Sequence, residues 1–270
     1  MRSLRHSIFV ATLFLGLSVS AGEITYRRVV HELGGVRFEN TLVQEAGGKK
    51  DRVGVLMVPN WMGPGKEANA KAANIAKMGY VVFVADVYGE GTRPKNAGEA
   101  GKAAGELRAG DRQLLRDRVS KALEVFRGLA KEGLHSRDKM AAIGFCFGGG
   151  TVLELARSGS DIPAVISFHG NLDSPRPANK GDIKARVLVL HGADDPYVPV
   201  EQVAGFKAEM KTAKPLDWQL VEFGDTVHSF TNPAADSAGA RYNERSSRRA
   251  FEYMEELLEE VFGDDDGDKD

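Results

Sequence analysis

Short, nearly continuous apolar runs alternate with amphipathic stretches along most of this chain. Runs such as Val81-Val82-Phe83-Val84-Ala85 and Val187-Leu188-Val189-Leu190 are apolar at every position. They read as strands buried on both faces, the habit of a parallel sheet covered by helices. The pattern predicts strands at 35–44, 53–59, 80–85, 140–143, 164–168, 187–190 and 217–223. Helices are expected at 66–78, 111–131, 147–157, 200–213 and 238–261. This alternation predicts an α/β fold, a mostly parallel central sheet with helices on both faces. Residues 89–110 carry the weakest pattern and leave room for a cap or lid, from which Arg93 and Lys95 are candidates to meet a ligand; a solvated loop is the plainer reading for either charge.

The strand at 140–143 runs into Gly144-Phe145-Cys146-Phe147-Gly148-Gly149-Gly150, which holds the chain's one cysteine. A strand that stops at Gly-x-Cys-x-Gly and turns at once into a helix has the form of a nucleophile elbow with sulfur as the nucleophile. A side chain two positions before or after the nucleophile would clash in so tight a turn. The motif alone leaves a second reading open, a buried structural cysteine beside a glycine turn. A free thiol titrates near 8.5, so attack at neutral pH calls for a neighbouring base and an acid to orient it. In α/β hydrolases the order is nucleophile, acid, histidine.

His6, His31 and His135 precede Cys146, which leaves His169, His191 and His228. His228, in the loop Gly224-Asp225-Thr226-Val227-His228-Ser229-Phe230, is the expected base. The acid is sought in His191-Gly192-Ala193-Asp194-Asp195-Pro196-Tyr197-Val198-Pro199. Asp195 is preferred to Asp194 because Pro196 and Pro199 stiffen the turn that follows it; a helix cap is the plainer role for either. His169 ends a strand and is read as a packed residue or a pocket lining.

Together these segments resemble the dienelactone hydrolase family of α/β hydrolases, whose nucleophile is cysteine. The resemblance runs over 36–262 and rests on 144–149, 191–199, 228–230, Val58-Pro59-Asn60-Trp61-Met62-Gly63 and Ala85-Asp86-Val87-Tyr88. It implies a Cys146–His228–Asp195 triad and an oxyanion hole built from the backbone amides of Phe147 and Trp61. It places Asn60, Asn232, His169 and Tyr88 around the substrate pocket. Family members that act on the chlorocatechol-pathway lactone carry a glutamate where Asn60 stands, associated with ionising the cysteine. They carry a carboxylate-binding arginine where Asn232 stands. The expected reaction is hydrolysis of a different small ester or lactone through an acyl-thioenzyme, with no cofactor and no metal. Acyl transfer and a non-catalytic thiol sensor or binding protein are the alternatives.

A length of 270 residues suits one domain, expected over 22–262. A net charge of −2 leaves no nucleic-acid footprint. Residues 1–21 open with Arg2, Arg5 and His6, continue with an apolar run at 8–19 and end on Val19-Ser20-Ala21. They read as a signal peptide cut after Ala21, with a run short for a membrane span. The mature protein is expected in the periplasm or outside the cell, free of the membrane; an uncleaved anchor is the alternative. Residues 263–270 form an acidic tail, expected to be disordered and lacking the full ligand pattern of a calcium loop.

Overall fold

The computed structural model describes residues 22–263, so the expected signal peptide and all of the acidic tail but Gly263 lie outside the described residues. Among the described residues one eight-stranded sheet forms the centre. Its strands are β1 (Ile24–Leu33), β2 (Val36–Glu45), β3 (Gly54–Val58), β4 (Val81–Val84), β5 (Met140–Phe145), β6 (Ala164–Phe168), β7 (Arg186–Gly192) and β8 (Trp218–Phe223). The spatial order is β1-β2-β4-β3-β5-β6-β7-β8. The β1–β2 hairpin joins β4 antiparallel, and every pairing from β4 to β8 is parallel. The helices are α1 (Lys66–Ala76), α2 (Ala97–Arg108), α3 (Gln113–Leu129), α4 (Phe147–Arg157), α5 (Val200–Ala213) and α6 (Glu244–Phe262).

Strand alternation divides the core in two. Leu56, Val58, Val81 and Phe83 face the layer of α2, α3, α4 and α5. Val55, Met57, Val82 and Val84 face α1 and α6. Both faces are therefore dry, which explains why the central strands read as unbroken apolar runs.

Three elements depart from the sequence expectation. β1 is an edge strand of mixed burial, with Tyr26, Arg27, Arg28 and Val30 exposed, so its alternation is faint. It folds back through Gly34 and Gly35, both at positive φ (57° and 76°), the conformation a two-residue hairpin turn requires. α2 occupies much of the segment read as patternless. Its buried face is mostly alanine, which weakens the apolar period, but Asn96 caps it by accepting from the Glu99 N–H. α6 starts at Glu244 rather than at 238, because Asn243 accepts from the Ser246 N–H and ends the preceding loop.

The sheet and α4 meet backbone to backbone. A Cβ on Gly144 would lie 2.0 Å from the Gly148 carbonyl oxygen, and one on Gly148 2.1 Å from the Val58 oxygen. No rotamer relieves a clash with main chain. Gly148→Ala is expected to cost about 3 kcal/mol or more, or to prevent folding, in urea denaturation. Gly105→Ala, with nothing within 4 Å of the new Cβ, is expected to be neutral or stabilising by about 0.5–1 kcal/mol. Equal unfolding midpoints for the two variants would refute the close approach of α4.

Candidate active site

Between the last residue of β5 and the first of α4, Cys146 adopts φ 55°, ψ −119°. A side chain in this region is strained by about 1–3 kcal/mol and persists only when its surroundings hold it. Here the Cys146 N–H donates to the Phe168 oxygen at 3.0 Å, and its carbonyl accepts from the Gly149 N–H at 2.9 Å. The sulfur is half-buried and sits at the N-terminus of α4. Among the described residues, neither the Phe147 N–H nor the Trp61 N–H has a protein acceptor.

β7 delivers the acid and the loop after β8 delivers the histidine. Asp195 Oδ2 lies 2.7 Å from His228 Nδ1, and the Asp195 side chain is fully buried. Its other oxygen accepts from the Tyr197 N–H at 2.9 Å, which fixes the carboxylate within the Pro196–Pro199 turn. Asp194 is exposed, and its backbone N–H donates to the Thr226 oxygen at 3.0 Å. His228 is pinned along its main chain by the Gly239 oxygen and the Arg241 N–H. Its ring is held between Tyr197 and His169, both packed edge to face, with centroids 5.3 and 5.1 Å away. Burial opposes a charge on His228, but hydrogen bonds to Asp195 and to Cys146 outweigh it and push its pKa up to about 10.

Cys146 and His228 open together on a cavity of about 360 Å³. Its walls are Trp61, Phe147, Tyr197 and Val198, with Ala104 and Arg108 from α2 and Asn171 from the loop after β6. A larger hollow of about 530 Å³ between β8 and α6 has no cysteine or histidine in its lining and offers no comparable chemistry.

The residues expected around the pocket stand one layer behind this cavity. Tyr88 is buried, donates its hydroxyl to the Trp61 oxygen at 2.8 Å and stacks on Phe147, so it braces the two residues whose amides are unpartnered. Burial, followed by the charges at Cys146 and Asp86, raises its pKa, so the hydroxyl stays a donor. Asn60 shapes the loop: its Oδ1 accepts from the Met62 N–H and its Nδ2 donates to Glu67. It faces a second cavity, of about 230 Å³, on the other side of that loop. Asn232 Oδ1 accepts from the Ala234 N–H. His169 is wholly buried behind His228. Arg93 is taken up by Asp86, at 2.8 Å. The cation at the cavity wall is Arg108, from the same cap segment; its place in the last turn of a helix was hidden by the weak pattern of α2.

Comparison with known proteins places the chain in a family. A model of the dienelactone hydrolase family matches residues 29–262. The chain belongs to that family. A crystal structure of a dienelactone hydrolase-like promiscuous phosphotriesterase from metagenomic libraries superposes with a TM-score of 0.81 at 35% identity, covering 90% of this chain and 100% of that one. The solved protein m3DLH superposes with a TM-score of 0.80 at 34% identity, over 88% and 99% of the two chains. A putative carboxymethylenebutenolidase of Saccharolobus solfataricus is 27% identical over 60% of each chain. The fold is that of the α/β hydrolases, and this member of the family is a hydrolase acting on ester bonds.

A His228 imidazole held by Asp195 and sulfur is expected to stay protonated through neutral pH. In ¹⁵N spectra of the imidazole its midpoint is expected near 10. Cys146→Ser and Asp195→Asn, which each remove one of the raising partners, are expected to lower it. A midpoint near 6.5 in the unaltered protein would mean that sulfur and imidazole form a neutral pair.

Proposed function

We propose that this protein hydrolyses a small ester or lactone with Cys146 as nucleophile, His228 as proton carrier and Asp195 as its orienting acid. The observation that carries this reading is the 2.7 Å His228–Asp195 contact, placed so that His228 and Cys146 share one cavity. With the proton resident on His228, the Cys146 thiolate adds to the carbonyl carbon. The carbonyl oxygen takes the negative charge against the Phe147 and Trp61 amides, donors of a kind worth roughly 3–4 kcal/mol each. As the carbon–oxygen bond breaks, His228 protonates the departing alkoxide, leaving an acyl-thioenzyme. His228, now neutral, takes a proton from water, whose oxygen attacks the thioester; the acid leaves and the thiolate–imidazolium pair is restored. No step calls for a metal or cofactor.

The walls favour an apolar acyl or alcohol group, with Asn171 and Arg108 as the polar contacts at one side. Asn232 leaves no cation at the position of the family's substrate-binding arginine. The basic start, apolar run and small residues of 1–21 support export to the periplasm or beyond.

The test is turnover of a panel of aryl and alkyl esters, lactones and an aryl phosphotriester by residues 22–270, beside Cys146→Ala. Turnover of an ester or lactone is expected, with kcat/KM lower by about three orders of magnitude or more in the variant. Equal rates in both would remove Cys146 from the mechanism. Oxidation of Cys146 with no turnover of any substrate would favour the thiol sensor. Acyl products formed with an added alcohol in place of acid would favour acyl transfer.

A further inference from the structure

Behind the proposed base runs a line of polar contacts that the reaction above does not use. Lys71, on α1, sends its ammonium inward, 4.5 Å from the ring centroid of Phe145, the residue before Cys146. Nζ donates to the Thr231 carbonyl oxygen at 2.9 Å and reaches the Thr231 hydroxyl at 3.4 Å. That hydroxyl lies 2.8 Å from Nε2 of His169. His169 packs edge to face against His228, and its own Nδ1 is buried without a hydrogen-bond partner among the described residues.

An ammonium has donors only, so the Thr231 hydroxyl oxygen accepts from Lys71, and His169 Nε2 is the one acceptor within reach of its proton among the described residues. Nε2 of His169 is then an acceptor, and the ring's single proton sits on Nδ1. We propose that Lys71 is a positioning residue that, through Thr231, holds His169 as the neutral Nδ1–H tautomer, so that His228 is the one imidazolium in the site. This inference rests on the reading of His228 as the proton carrier. A second imidazolium against the first would repel the charge that His228 must hold until the leaving group takes its proton.

The groups that face these side chains act in the same direction. Burial, then His228, Lys71 and His191, hold His169 well below the usual histidine range. Glu67, on the same helix, is the charge facing Lys71; burial outweighs it and lowers Lys71 to about 8. Lys71 is therefore charged, and Thr231 oriented, on the acid side of that value. Removal of the ammonium removes a like charge from beside His169, so His169 takes up a proton at a higher pH than before. The acid limb of kcat/KM then moves toward neutrality.

The experiment uses the full chain, with p-nitrophenyl acetate as probe and ¹⁵N imidazole spectra read in parallel. Lys71→Met and Thr231→Val are each expected to raise the midpoint of the acid limb by about half to one pH unit, with KM changed less than kcat. Lys71→Arg is expected to return the limb toward its original place. In the unaltered protein His169 is expected to show the Nδ1–H tautomer and a protonation midpoint well below the usual histidine range. A proton on Nε2, or a His169 midpoint near 6.5, would overturn the proposal whether or not the ester turns over. So would an unmoved acid limb in Lys71→Met and Thr231→Val when both variants stay folded. The expected His169 spectra with no turnover of any ester would overturn the hydrolase reading and leave the tautomer assignment standing.

Discussion

The close approach of α4 to the ends of β3 and β5 is the constraint on which the site depends. Main chain meets main chain at Gly144, Gly148 and Val58, so the turn between β5 and α4 has no room to relax. That turn forces Cys146 to positive φ and lifts its side chain out of the sheet. It also leaves the first amides of α4 pointing to the same place, with the positive end of an 11-residue helix dipole beside the sulfur. The contact continues along the helix: Cβ atoms on Gly149 and Gly150 would meet Ser167 and Asn171 at 2.6 and 2.2 Å. Three consecutive glycines, poor helix formers, are tolerated because each residue of side chain would push α4 away from the sheet.

A buried ionic network carries that placement outward. Glu154 of α4 receives Arg112, Arg116 and Arg157, and Arg157 makes a paired contact with Glu209 of α5 at 2.8 and 2.7 Å. Arg112 also holds both the side chain and the carbonyl of Asp173, in the loop that supplies Asn171 to the cavity. Ion pairs this deep gain little net stability, since desolvation offsets their attraction. Their directed, multiply bonded geometry instead ties α3, α4, α5 and the loop after β6 into one orientation. With Arg108 included, four guanidinium groups face the three carboxylates of Glu154, Glu209 and Asp173. Arg108, paired with Asp173 at 3.2 Å, is the member of this network that also lines the cavity.

The parts of this arrangement that were legible in the sequence are those dictated by local backbone chemistry. Gly144, Cys146 and Gly148 announce a strand-to-helix elbow because few other residues fit one. Buried parallel strands announce themselves as apolar runs, and Asp195 and His228 follow from their places after β7 and β8. What escaped was set by tertiary contact. α2 is stabilised by burying small alanines against α3 and the sheet, a signal too weak to show as a period. Asn60, Tyr88, His169 and Asn232 are near the site in sequence motif but reach it through other residues, because side-chain direction is not contained in spacing. Lys71 and Thr231 lie 160 positions apart, and nothing in either neighbourhood announces the other.

Asn60 shapes the loop that carries the Trp61 amide. Its amide both accepts from Met62 and donates to Glu67, which an ionised carboxylate cannot do. A glutamate there would face Glu67 as a like charge and lose the donor, so the loop that carries the Trp61 amide is fitted to asparagine. In the proposed mechanism the negative charge that forms on sulfur during the reaction is met by other groups. Asp195, fully buried, gains most by facing a cation, and the nearest is His228. The α4 terminus adds partial positive charge on the other side of the sulfur. Both come from elements locked into the sheet. In the proposed mechanism discrimination among esters then falls to the shape of the cavity and to Arg108, which lines it.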